Sequence, residues 1–176
     1  MQALRYSILE NITLDGENSP LLDLGSRRVA KRAITTKNAR NEQMWGRFLY
    51  KRGFWVPKIW GLVMPEDDPE GIIDAPYIVM QTLEGEDTTH LTGRSREEAL
   101  RQYKLQMGRV LNFNIYPVDS LDRFPGRNSR FNSMRGITYL HDFESWRKGN
   151  PREIERMRSI LNSKSFWELS PQNKPS

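Results

Sequence analysis

The sequence predicts a mixed α+β fold in which a small antiparallel sheet with one helix precedes a mainly helical half. Three features carry that reading. Residues 6–14 and 21–34 are apolar and β-branched, and Asp15-Gly16 with Asn18-Ser19-Pro20 supplies turn chemistry between them. Residues 38–52 set Met44, Trp45, Phe48 and Leu49 at helical spacing ahead of Gly53, a residue suited to ending a helix. Ser95-Arg96-Glu97-Glu98 has the form of a capping box and opens an apolar stripe of Leu100, Tyr103, Met107, Val110 and Leu111.

The elements follow in order. In the second strand Val29, Lys31 and Ala33 alternate onto one face, so the lysine points where small side chains point and a ligand has room beside it. Its charge is read as lying outside the core. Glu42 falls in the first turns of the next helix, where an acid complements the dipole. Val56–Val63 reads as a strand with Pro57 at its start, where a missing donor is tolerated. Pro65 to Asp74 is an acidic loop, Tyr77–Met80 a short buried strand, and Gln81 to Glu86 a connector. Beyond the capping-box helix, Phe124 to Asn132 is a basic irregular loop and Gly136–Leu140 a strand. Asn150-Pro151-Arg152-Glu153 starts a last helix carrying Ile154, Met157 and Leu161. The Ser/Pro/Gln/Asn/Lys tail past Trp167 reads as disordered.

Composition narrows the classes. With 176 residues, 37% hydrophobic and 28% charged, the chain has enough apolar material for one core or two small lobes. It has no cysteine, which excludes disulfides and thiolate metal sites, and its two histidines are too few for an all-histidine cage. No apolar run is long enough for a membrane span and the N-terminus lacks a signal-peptide core, so a soluble cytoplasmic protein is expected. The net charge of +5 and pI of about 9.6 suit solubility, a nucleotide or nucleic acid, but no nucleic-acid-binding motif accompanies the scattered basic clusters.

Five short motifs occur in one order: Lys31 in Arg28-Val29-Ala30-Lys31, Glu42 in a helix, Val56-Pro57 at a strand start, Ala75-Pro76-Tyr77-Ile78-Val79-Met80-Gln81-Thr82-Leu83-Glu84-Gly85, and Asp142-Phe143-Glu144. That order resembles the protein-kinase-like superfamily, most closely the aminoglycoside and choline phosphotransferase branch, over about Leu24 to Trp146. The resemblance implies a two-lobed kinase-like fold, with an N-lobe over residues 1–83, a reduced helical C-lobe over 84–167 and a tail over 168–176. It implies ATP and Mg²⁺ as cofactors and phosphotransfer to a hydroxyl acceptor. Lys31 would pair with the α- and β-phosphates, Glu42 would aim that lysine, and Met80, Gln81 and Leu83 would take the adenine edge. Asp142 would bind Mg²⁺, with Asn128 or Asn132 as second contributor.

Catalysis would fall to Asp119 or Asp122, in the loop between the long helix and the metal-bearing strand. Asp119 follows Ile115 as the family's catalytic aspartate follows its apolar anchor, whereas Asp122 lies closer to the family's spacing from Asn128. Pro117 stands where the family carries histidine, and no clear Gly-rich phosphate loop is present. A nucleotide-binding pseudokinase acting as an interaction module for a protein partner is therefore the alternative expectation, with a basic nucleic-acid-associated domain a third.

Overall fold

The structure, a computed structural model, describes Ile8 and residues 21–118, 120–121 and 125–168. It is mixed α+β, with small antiparallel sheets and four helices among the described residues. These residues form two compact units: one runs up to Gly53 and resumes over Pro57–Thr82, and the other joins Phe54–Val56 to the chain from Leu83 onward.

The first unit contains β1 (Leu21–Asp23), β2 (Arg28–Arg32), α1 (Thr36–Lys51), β3 (Ile59–Val63) and β4 (Tyr77–Gln81), with sheet order β1-β2-β4-β3 and every pair antiparallel. The run 21–34 is thus a hairpin and not one strand. Gly25, Ser26 and Arg27 take positive φ of 67°, 49° and 60°, and Arg28 N–H closes the turn on the Gly25 carbonyl at 2.9 Å. Of residues 6–14 only Ile8 is described; it is helical and buried, and the strand expected there otherwise lies outside the described residues. Val56 and Pro57 precede β3, which begins at Ile59 and carries a register irregularity between Ile59 and Gly61.

Alternation sorts the sheet into two buried faces. Leu22, Ala30, Val63, Tyr77 and Val79 pack with Ile8 and Ile73 on one; Val29, Ala33, Ile59, Ile78 and Met80 pack with Ala39 of α1 on the other. Ile73 reaches the first cluster from the acidic loop because the buried Asp68 carboxylate accepts the Ile72 and Ile73 amides at 2.7 and 2.8 Å. Thr35 caps α1 by accepting the Asn38 amide at 3.1 Å, and Gly53, at φ 71°, follows its end. The inward line of α1 is Ala39, Glu42, Trp45, Gly46 and Leu49; Met44 is about half exposed and Phe48 half-buried, so of the expected stripe only Trp45 and Leu49 lie inward, joined by the polar Glu42.

The second unit holds β5 (Glu86–Asp87), α2 (Gly93–Asn112), β6 (Ile115–Tyr116), β7 (Ser129–Asn132), β8 (Ile137–Leu140), β9 (Arg147–Lys148), α3 (Pro151–Asn162) and α4 (Lys164–Glu168). Strands β5-β7-β8 form one antiparallel sheet and β6-β9 another, so this half is less purely helical than expected. Gly85, at φ 114°, precedes β5 where an added Cβ would lie 2.3 Å from the Phe131 carbonyl oxygen, a contact only glycine permits. Helix α2 starts two residues before the predicted box, at Gly93 after Thr92. Its Glu98 is instead taken by Arg101 and Gln102 one turn on. Helix α3 starts as expected, with Asn150 and Glu153 in a reciprocal capping box and Pro151 at the first position. Trp167 and Glu168 close α4; residues 169–176, the remainder of the expected tail, lie outside the described residues. No described helix is long and apolar enough to cross a membrane.

Candidate functional site

Lys31 and Glu42 meet in the first unit. Lys31 lies on the same sheet face as Val29 and Ala33, against α1, and its Nζ sits 2.8 Å from Glu42 Oε2. The lysine side chain is 24% exposed and the glutamate 1%. Glu42 is two turns into a helix whose first turn holds no acid, so a dipole role does not account for it. A carboxylate on the buried face of an amphipathic helix is costly without a cation and hydrogen bonds, and the lysine supplies the cation. The pair therefore fixes the ammonium on one face of β2, on a side chain that stays partly exposed.

At the end of β4 the backbone is largely committed. Met80 is buried and sits opposite both Val29 and Ile59. The Gln81 amide donates to the Lys58 carbonyl at 2.9 Å and the Thr82 amide to the Arg27 carbonyl at 2.9 Å. Leu83, the first residue of the second unit after this strand, makes no backbone hydrogen bond among the described residues. Among the described residues, Leu83 is thus a connector position whose peptide groups are not committed to neighbouring backbone, unlike the Gln81 amide.

In the second unit the β7–β8 register sets Asn128 opposite His141, the residue before Asp142. Ser129 pairs with Leu140, and one step beyond, the His141 amide donates to the Asn128 carbonyl at 3.0 Å. Both expected ligands take the left-handed conformation, Asn128 at φ 56° and Asp142 at φ 66°. Asn and Asp tolerate that region better than other non-glycine residues, and such positions cluster where a side chain must be aimed. Asn132, at the other end of β7, is buried and committed: its Oδ1 accepts the Arg135 amide at 3.0 Å and its Nδ2 lies 3.3 Å from Glu84 Oε2. Of the two asparagines, Asn128 is the one at the Asp142 end of the hairpin.

Asp119 and Asp122 lie outside the described residues, as does Arg123. Their described neighbours are anchored: Tyr103 Oη donates to the Ser120 carbonyl at 2.5 Å, Ser145 Oγ to the Val118 carbonyl at 3.2 Å, and the Ser120 amide to the Pro117 carbonyl at 3.1 Å. Phe143 and Trp146, which follow Asp142, are buried in a T-shaped contact at 4.8 Å and hold the far side of that turn.

Sequence reasoning missed Gln102 and Gln106. They fall on the buried face of α2, where their spacing of four was the available signal, and the apolar stripe beside them drew the reading away. Comparison of the chain with protein-family models and with curated proteins returns no match.

Proposed function

We propose that the protein is an ATP-dependent phosphotransferase of kinase-like, two-lobed architecture acting on a hydroxyl acceptor. The observation that carries the reading is the Lys31–Glu42 ion pair, 2.8 Å long and anchored on a buried helix face. An ammonium held this way is a preset partner for phosphate oxygens, and phosphoryl transfer asks the protein mainly for positioning and charge. The donor types suit a hard cation as well, since Asp142 carries a carboxylate and Asn128 an amide oxygen at the same end of the β7–β8 hairpin, where the His141 amide meets the Asn128 carbonyl. When bound, Mg²⁺ and ATP would supply the charge neutralisation and the transferable phosphoryl group. Leu83 would meet the base through its peptide N–H and C=O, Lys31 would orient the phosphates, and Asp119 or Asp122 would align the acceptor hydroxyl and receive its proton.

Pro117, in the position where the resembled family carries histidine, favours a second reading in which nucleotide is bound but not turned over and the protein serves as an interaction module. Thermal unfolding with Mg-ATP, ATP in chelator, and no nucleotide, followed by ATP turnover, separates the two. Mg-ATP at a hundred times its dissociation constant is expected to add about 2.7 kcal/mol. Asp142→Asn is expected to weaken Mg-ATP far more than ATP in chelator. Turnover lost in Asp119→Asn or Asp122→Asn with binding retained marks the enzyme; binding without turnover marks the second reading. No shift with any nucleotide defeats both.

A further inference from the structure

Strand β8 is the edge of its sheet, with β7 on one side and no strand on the other among the described residues. An edge leaves backbone donors and acceptors to be satisfied by something else, and here they are satisfied by side chains of a helix. Gln106 Nε2 donates to the Thr138 carbonyl at 2.6 Å, and the Thr138 amide donates to Gln102 Oε1 at 2.8 Å. Thr138 Oγ1 also donates to the Ala99 carbonyl at 3.1 Å. The next outward amide, that of Leu140, donates to the Trp55 carbonyl at 2.8 Å, and the Trp55 amide returns to Gln106 Oε1 at 3.2 Å. Gln106 thus joins α2, the segment Phe54–Val56 and β8 through both ends of one amide, in a site where it is only 4% exposed.

One residue past Leu140, the His141 amide reaches the Asn128 carbonyl, and the left-handed turn at Asp142 follows. We infer that Gln106 is a positioning residue for the turn at Asp142: it fixes the outer edge of β8, and through it the His141–Asn128 bond and the direction of that turn. Its meaning for cation binding rests on the proposed function; its effect on the turn does not.

The test compares the full chain with Gln106→Leu and Gln106→Glu by amide hydrogen exchange and by Mn²⁺ titration. Gln106→Leu keeps the volume and removes both hydrogen bonds. It is expected to lower the protection of Leu140 and His141 about tenfold or more while amides of β2 and β4 keep theirs. Mn²⁺ affinity is expected to fall about tenfold, as when a group orienting a ligand is removed. Gln106→Glu retains the acceptor for Trp55 but donates to Thr138 only when protonated. It should resemble Gln106→Leu near neutral pH and recover His141 protection on mild acidification, because burial raises a carboxyl's pKa. Met157→Ala, a cavity variant at a buried position of α3, controls for general destabilisation and should leave relative His141 protection and Mn²⁺ affinity as they were. Unchanged His141 protection in Gln106→Leu, or an equal loss in Met157→Ala, overturns the inference. So does unaltered Mn²⁺ affinity where the unsubstituted protein binds Mn²⁺. If the unsubstituted protein binds no divalent cation while His141 protection responds as stated, the positioning role stands and the cation reading falls.

Discussion

At the scale of single residues, the charge of Lys31 is not the independent surface feature that its strand position suggested. Glu42 is 1% exposed, so loss of the ammonium 2.8 Å away removes a counterion from a carboxylate whose desolvation is already complete. Lys31→Ala is therefore expected to destabilise the unliganded protein by about 1–3 kcal/mol in urea unfolding. Replacing both partners, Lys31→Met with Glu42→Leu, should recover most of that, because an apolar pair removes the buried charge along with its counterion. An unchanged midpoint for Lys31→Ala would show that other groups satisfy Glu42 unaided. The pairing with Glu42 was expected from the family resemblance, whereas strand alternation by itself fixes only the face of Lys31. The commitment of the Gln81 and Thr82 amides was not legible in the sequence, since it depends on which strands and turns lie alongside β4, and no local pattern encodes that.

At the scale of elements, long periodic segments were readable and short polar strands were not. Helices α1 and α3 and strand β4 announce themselves by spacing, caps and β-branching, whereas β5, β6 and β9 are two residues each and Ser129-Arg130-Phe131-Asn132 is as polar as a loop. Those strands exist because distant partners supply their hydrogen bonds, as Ile115 and Lys148 do for β6 and β9. Local capping made α3 legible, and it is testable. Asn150→Ala removes the acceptor for the Glu153 amide and is expected to cost about 1 kcal/mol. The Arg147 guanidinium, then the Asn150 amide, holds Glu153 from 4.5 down to about 2; Arg101, then Gln102, does the same for Glu98. A carboxyl whose folded-state pKa lies below its unfolded value contributes stability above the unfolded value and loses it as pH falls through the folded one. Unfolding free energy should thus decline between pH 4.5 and about 2. In Glu153→Gln that decline should be shallower, which a series of urea titrations across the interval would read; parallel curves would remove Glu153 from the acid response.

At the scale of the molecule, chain order and compact units do not coincide. Phe54–Val56 lies in sequence between α1 and β3 of the first unit, yet it packs in the second: Phe54 meets Phe113 at 6.2 Å and the Arg109 guanidinium at 4.3 Å, and Trp55 serves both Leu140 and Gln106. A cut at Thr82–Leu83 therefore gives a C-terminal piece missing part of its own structure. The fragment 83–168 would leave the Leu140 amide and Gln106 Oε1 without their partners and uncover Phe113, and each buried polar group so orphaned costs about 1–3 kcal/mol. Its urea midpoint, followed by near-UV circular dichroism of buried Trp146, should lie well below that of the same signal in the full chain. A peptide spanning residues 52–58, added in excess, should raise it by mass action. Equal midpoints for fragment and full chain, with no response to the peptide, would mean that the excursion of residues 54–56 is a passive connection, and that α2 and β8 hold each other without it.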